Sequence, residues 1–152
     1  LPQLFQEYGE IDSATIHDKG GQGFISFKEH THAKAAMEAD PKDIQFMVDA
    51  FSKRRSIMID GLNSIVGFVC NSPEGAFYLF PKISDHFGKS HNGEPINSAK
   101  DFCMYLLSHA HVATVPGSAF GADEYIRLSY AASEDQLVEA LRRIEEAVSN
   151  LD

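Results

Sequence analysis

Histidine and cysteine side chains are among the groups in this sequence that could bind a metal ion or act as nucleophiles. The histidines include two pairs with i, i+2 spacing, His30 with His32 and His109 with His111. Both pairs are predicted to lie at helix ends, where side chains two positions apart point in different directions. Neither pair is completed by an acid or a cysteine, so no metal site is predicted.

The two cysteines, Cys70 and Cys103, do not form a CxxC motif. Two isolated cysteines in a chain of globular composition are typical of buried, reduced thiols, which persist in the cytoplasm. We therefore expect a cytoplasmic protein whose cysteines have no catalytic role.

The charge and composition disfavour several classes of partner. The 152 residues carry a formal net charge of −9, and 43% of them are apolar. An acidic surface repels phosphate groups, so nucleic-acid binding is disfavoured. No apolar run approaches the ~18 residues of a membrane-spanning helix, so no membrane partner is expected. An oligomer is compatible with the sequence.

The first part of the chain is predicted to fold as helix, strand, strand and helix, from its apolar spacing and its glycines. Thr31 is placed to cap the second of these helices. The predicted elements are a helix over 2–8, strands over 11–17 and 23–27, a turn over 18–21 and a helix over about 31–39.

The rest of the chain also alternates helices with short strands. Gly61 is predicted to end a long amphipathic helix, and Ser133 with Gln136 forms a capping box for the last helix. The order α-β-β-α-α-β-β-α-β-β-α indicates an α+β fold, with a mixed, largely antiparallel sheet packed against helices. The predicted elements are helices from about 44 to 59, from 98 and from 133, a hairpin with strands 66–70 and 76–80, a surface loop over 82–95, and strands over 112–115 and 125–130.

Five motifs in this part occur in the order of a known family. The motifs are a helix ending in two arginines at 47–55, P-E-G-A-F-Y-L-F-P at 73–81, D-F-C followed by L-L at 101–107, V-P-G-S-A-F-G at 115–121 and Y-I-R-L-S-Y at 125–130. One such motif is modest support, whereas five in order form a specific pattern. On these motifs, residues from about Lys42 to Asp152 resemble the C-terminal small domain of a fold-type I, pyridoxal-phosphate-dependent aspartate-type aminotransferase.

This resemblance implies a substrate-binding role for Arg127. In the family, the arginine at this position binds the α-carboxylate of the substrate. A guanidinium suits that role because its rigid fork of donors pairs with a carboxylate through two hydrogen bonds. Without the family pattern, an arginine in a strand would be interpreted as a surface charge.

The same resemblance implies that the catalytic groups lie elsewhere. Such enzymes hold pyridoxal phosphate as a Schiff base to a lysine of the large domain, and that lysine moves the proton at Cα. The sequence contains no S-x-x-K motif in a suitable context, since Lys89 lies in a polar loop and Lys100 at a helix start. We therefore expect no bound cofactor and no catalytic residue in this chain.

The segments L-F-Q-E-Y-G-E-I at 4–11, G-G-Q-G-F-I-S-F at 20–27 and A-K-A-A-M-E-A at 33–39 form a second pattern. They are similar to the first helix, the RNP1 strand and the second helix of the RNA-recognition motif, so residues 1–39 resemble that family. The resemblance nominates Phe24 and Phe27 as RNA-stacking residues. The alternative is that both rings pack as ordinary sheet residues. Gly20 and Gln22 replace the usual basic and aromatic residues, which favours that alternative.

Two unlike segments in one chain lead to three hypotheses of function. The first is a designed or recombined chimera without independent catalysis, with segments 1–39 and 40–152 merged into one globular domain. The second is a fragment of a pyridoxal-phosphate-dependent aminotransferase, active in amino-acid transamination only with its missing large domain. The third is a weak single-stranded RNA-binding module.

Overall fold

Residues 5–17, 22–38 and 42–152 are described by a computed structural model of this chain. The chain divides into two units, residues 1–45 and 46–152, and each is considered by itself. The division falls a few residues after the predicted segment boundary at 39/40. The expectation that the two segments merge into one domain stays a prediction. No helix of the described residues is long and apolar enough to cross a membrane.

The first unit contains a hairpin and a helix, close to the predicted positions. Strands β1 (Ile11–His17) and β2 (Gln22–Phe27) pair antiparallel, and α1 (His30–Glu38) follows them. The helix starts before Thr31, which lies inside it instead of capping it. The predicted helix over 2–8 is described only in part, as a 3₁₀ turn at Gln6–Tyr8. The predicted turn at 18–21 lies outside the described residues.

Three α-helices of the described residues lie wholly or mostly in the second unit. They are α2 (Lys42–Ser64), which begins before residue 46, α3 (Ala99–Tyr105) and α4 (Glu134–Ser149). Ser98 caps α3 by accepting a hydrogen bond from the Asp101 amide, and the predicted capping box of Ser133 and Gln136 is present. Both caps were predictable because they depend only on local sequence.

The prediction that Gly61 ends α2 is wrong, because the helix continues to Ser64. Gly61 instead makes room for α4. A Cβ atom at this position would lie 2.3 Å from Cδ1 of Leu141. Glycine at position 61 is therefore explained by the close approach of another helix and not by the end of α2.

The strands of the second unit are short, and every pairing among the described residues is antiparallel. Strands β3 (Tyr78–Leu79), β6 (Val115–Pro116) and β7 (Ile126–Ser129) form one sheet with β7 in the centre. A separate small hairpin, β4 (Ser90–His91) with β5 (Glu94–Pro95), lies in the predicted surface loop. The α+β fold class with antiparallel strands is confirmed, although the strands form several small sheets.

The predicted hairpin between 66–70 and 76–80 is wrong in its pairing. Within 66–70 only Val69 forms a β-bridge, and its partner is Lys82, whereas Tyr78 and Leu79 of the second segment pair with β7. The side chain of Asn63 occupies both backbone groups of Cys70: its Oδ1 accepts from the Cys70 amide at 2.8 Å and its Nδ2 donates to the Cys70 carbonyl at 3.0 Å. Backbone groups that are bound to a side chain are not available to a neighbouring strand.

One hydrophobic core joins the helices and strands of this unit. The apolar face predicted for α4 is confirmed, with Leu137, Ile144 and Val148 buried. Cys70 and Cys103 are buried and unpaired, as predicted. Other buried members are Met58, Leu62, Phe68, Leu79, Ile83, Phe102, Leu106, Ile126 and Leu128.

A histidine lies inside this core. His86 is 0% exposed, and its ring stacks on Phe102 with centroids 4.8 Å apart. Neither ring nitrogen makes a hydrogen bond with a described residue. Because a charged imidazolium would lose its hydration here, burial lowers the pKa of His86 from 6.5 to about 4.

We predict that the free energy of unfolding falls as the pH drops from about 6.5 to about 4. In this interval the unfolded chain takes up a proton at His86 and the folded protein does not, so the stability contributed by the neutral ring is complete above the interval and lost through it. The total loss is about 3 kcal/mol, at about 1.4 kcal/mol per pH unit. Urea unfolding at pH 7, 6, 5 and 4 measures it.

The matched control for this experiment is His86→Phe, which keeps an aromatic ring against Phe102 but cannot titrate. Its free energy of unfolding should depend less steeply on pH over the same interval. Equal pH dependence of the two proteins would contradict the assignment.

Candidate functional site

The central strand β7 presents Arg127 on the face of the sheet that points away from the core. Ile126 and Leu128 are 0% and 4% exposed, whereas Arg127 and Ser129 alternate with them on the opposite face. Side chains of a strand alternate between faces, so the two buried residues fix the direction of Arg127. Val115 of β6 pairs with Arg127 in the sheet register.

Two aromatic rings flank the guanidinium of Arg127. Its Cζ atom lies 4.4 Å from the ring centroid of Tyr78 and 4.8 Å from that of Phe120. Both distances are within the range of an attractive cation–π contact. The guanidinium is therefore held by ring faces that contribute no formal negative charge.

The guanidinium of Arg127 makes no hydrogen bond or ion pair with another described residue. Arg142, by contrast, bonds to Glu139 and Glu146 at 2.9 Å, and Arg143 bonds to Glu139 at 2.8 Å. Arg127 is also half-buried, so its donors are partly shielded from water. A partly buried arginine without an acidic partner can bind a carboxylate from outside the chain by donating two parallel hydrogen bonds to it.

The turn that carries Phe120 is shaped by Gly117. The Gly117 amide donates to the Tyr125 carbonyl at 2.7 Å, and the Gly117 carbonyl accepts from the Ala122 amide at 3.0 Å. A Cβ atom at position 117 would lie 2.1 Å from the Ala122 carbonyl oxygen. This close backbone approach explains why the V-P-G-S-A-F-G motif has glycine after its proline.

The described lysine side chains do not fit the role of a Schiff-base lysine for pyridoxal phosphate. Such a lysine must lose its proton to react, which requires a desolvated or positively charged surrounding. None of the lysine side chains described is buried. Lys82 instead pairs with Glu124 at 3.0 Å, and this hydrogen bond raises the pKa of Lys82.

Phe24 and Phe27, the two predicted RNA contacts, do not form a common surface. Phe24 is 58% exposed, and Phe27 is half-buried. They are three positions apart on β2, so the alternation of the strand places them on opposite faces. Contact of either ring with RNA stays a prediction.

The structure groups the histidines differently from their sequence spacing. The ring of His109 lies 4.5 Å from that of His91 and 4.7 Å from that of Tyr105. His91 belongs to the predicted surface loop, so no spacing signal could have revealed this cluster. Within the described ranges, no group of three or more histidine, cysteine or acidic side chains could hold a metal ion.

Comparison with known proteins gives a match to a family model described as aminotransferase class I and II, over residues 19–144. The chain is 45% identical over 118 residues to an aspartate aminotransferase of Rhizobium meliloti, covering 77% of this chain and 29% of that protein. It is 39% identical over 139 residues to an aspartate aminotransferase of Streptomyces avermitilis, covering 91% of this chain and 34% of that protein.

A solved structure agrees with these alignments. The crystal structure of the aspartate aminotransferase from Rhizobium meliloti matches with a TM-score of 0.76 and 42% identity, covering 80% of this chain and 31% of that one. The chain thus spans about a third of the length of the relatives it matches. Both the family match and the Streptomyces alignment extend across the predicted junction at 39/40.

We predict that Gly117→Ala lowers the free energy of unfolding by about 1–3 kcal/mol, because the added methyl carbon would lie 2.1 Å from the Ala122 carbonyl oxygen and 2.4 Å from that of Tyr125. Urea unfolding monitored by circular dichroism measures the change. Ser118→Ala is the matched control, since Ser118 is exposed in the same turn and should change stability by no more than about 0.5 kcal/mol. Equal midpoints for both variants would contradict the role given to Gly117.

Proposed function

Because this chain belongs to the aminotransferase class I and II family, we propose that it is the substrate-carboxylate-binding part of an aspartate-type aminotransferase. In this proposal it acts in amino-acid transamination together with the pyridoxal-phosphate-binding portion of such an enzyme. The chain supplies the group that binds and orients the substrate, and the cofactor-bearing portion supplies the chemistry at Cα.

The observation that supports this function is that the charge of Arg127 is partly buried and is not paired with an acidic side chain of the described residues. The guanidinium is half-buried, positively charged and without an acidic partner among the described residues, at the centre of a three-stranded sheet. The α-carboxylate is common to all amino-acid substrates and to their 2-oxo-acid products. A guanidinium that binds this carboxylate through its rigid fork of donors orients either molecule, whatever the side chain of that molecule is.

This function requires a second portion of protein. Moving a proton at the substrate Cα needs a neutral amine close enough to accept it, and no lysine side chain that the structure describes is buried. We therefore propose that this chain alone does not transaminate. In the assembled enzyme, its contribution is binding and orientation of the substrate.

The other two hypotheses have less support. An alignment that covers 91% of the chain necessarily includes residues on both sides of 39/40, which favours a fragment of one aminotransferase over a chimera. The RNA-recognition resemblance would require aromatic rings on a shared face, and Phe24 and Phe27 lie on opposite faces. Chimeric origin and RNA binding both stay predictions.

Complementation tests the proposed function. The chain is joined in one polypeptide to the preceding portion of the Rhizobium meliloti aspartate aminotransferase and supplied with pyridoxal phosphate, L-aspartate and a 2-oxo acid. We expect transamination, with Arg127→Gln lowering kcat/KM about 10- to 100-fold because it removes charge-assisted hydrogen bonds to the carboxylate. Steady-state kinetics measures both quantities.

The control is Arg142→Gln, which also removes one guanidinium but from the exposed face of α4, where Arg142 pairs with Glu139. It should leave kcat/KM within about two-fold, since an exposed ion pair contributes little. An inactive fusion with the natural Arg127, or equal activity of the two variants, would overturn the proposal.

A further inference from the structure

We propose that Tyr78 and Phe120 are positioning residues, which fix the Arg127 guanidinium before a carboxylate arrives. The pair of rings is called the aromatic clamp below. This inference rests on the proposed function, because it assigns a role to the neighbours of the carboxylate-binding arginine.

The sheet register brings the clamp together from two sides. Tyr78 of β3 lies opposite Ser129 of β7, which shares the outward face with Arg127. Tyr78 is therefore a diagonal neighbour of Arg127 across the strand pair, within reach of a long side chain. Phe120 comes from the turn that follows β6, the strand on the other side of β7.

Ring faces hold a guanidinium in a different manner from a carboxylate. An acidic side chain would accept hydrogen bonds from the same N–H groups that bind the substrate carboxylate. It would also neutralise the positive charge that attracts the substrate. An aromatic face attracts the cation through its quadrupole and leaves the N–H groups of the guanidinium available. The contacts at 4.4 Å and 4.8 Å therefore restrain Arg127 without competing with a carboxylate.

The clamp is itself supported from behind. Phe80 meets Phe120 edge to face with centroids 5.9 Å apart, and Phe80 stacks on Tyr125 at 5.3 Å with an interplanar angle of 3°. These contacts limit the movement of Phe120 although half of its surface is exposed. An arginine that is already ordered loses less conformational entropy when it binds its ligand.

The clamp can be tested on the chain by itself by nuclear magnetic resonance of the Arg127 Nε–Hε group. Ring currents from Tyr78 and Phe120 should shift the Hε signal upfield, whereas titration with sodium acetate should move it downfield as the carboxylate accepts a hydrogen bond from the guanidinium. Sodium chloride at equal ionic strength controls for screening. We expect Tyr78→Leu and Phe120→Leu each to remove part of the ring-current shift and to weaken acetate binding about two- to five-fold.

Two further variants separate positioning from loss of apolar surface. Tyr78→Phe keeps the ring face and should restore both the shift and the affinity. Phe77→Leu removes a ring of similar exposure on the neighbouring residue, which packs on Phe51 at 4.3 Å and makes no cation–π contact with Arg127. It should leave the Hε signal and the acetate affinity unchanged. Backbone spectra of each variant confirm that it is folded.

The outcomes distinguish this inference from the proposed function. Because Arg127→Gln has no Hε signal, acetate binding in that variant is followed through the backbone amides of β7, Ile126–Ser129. If their response to acetate is lost in Arg127→Gln but unchanged in both leucine variants, the clamp is overturned and Arg127 remains the carboxylate site. If these amides respond equally in the natural chain and in Arg127→Gln, the binding role of Arg127 is overturned, and the clamp with it. If the ring-current shift persists in both leucine variants, the clamp geometry is wrong whatever acetate does.

Discussion

The alternation of side chains along β7 is the constraint on which the rest of the second unit depends. Ile126 and Leu128 complete the core beneath the sheet, and by doing so they direct Arg127 to the outer face. A displacement of this strand by one residue would bury the guanidinium and expose two apolar side chains, at a cost of several kcal/mol. The position of the arginine is therefore fixed by the packing of its neighbours and not by a bond of its own.

Local features of the fold were predictable, and features that depend on distant residues were not. The caps at Ser98 and Ser133 and the apolar face of α4 follow from residues a few positions apart. The end of α2 and the pairing after it were predicted wrongly. The glycine at 61 packs against Leu141 of a distant helix, and the side chain of Asn63 binds the backbone of Cys70 seven positions away, and neither contact follows from helix or strand spacing.

The candidate site shows the same division. Arg127 was found because its motif resembles that of a known family, and the strand that carries it was predicted within one residue at each end. Tyr78 and Phe120 belong to two other motifs, but no spacing rule indicates that their rings meet one guanidinium. The contact of both rings with Arg127 depends on the order of three strands in a sheet, and this order cannot be read from local sequence patterns. The cluster of His91, Tyr105 and His109 was missed for the same reason.

The contact between Gly61 and Leu141 links two distant positions of the gene. Position 61 on α2 and position 141 on α4 share one small volume between the two helices. A methyl group added at 61 would overlap with the space that Leu141 Cδ1 fills. Among relatives with this helix packing, a larger residue at 61 should therefore accompany a smaller one at 141. The two positions would then covary during evolution, and a substitution harmful in one sequence background would be tolerated in another.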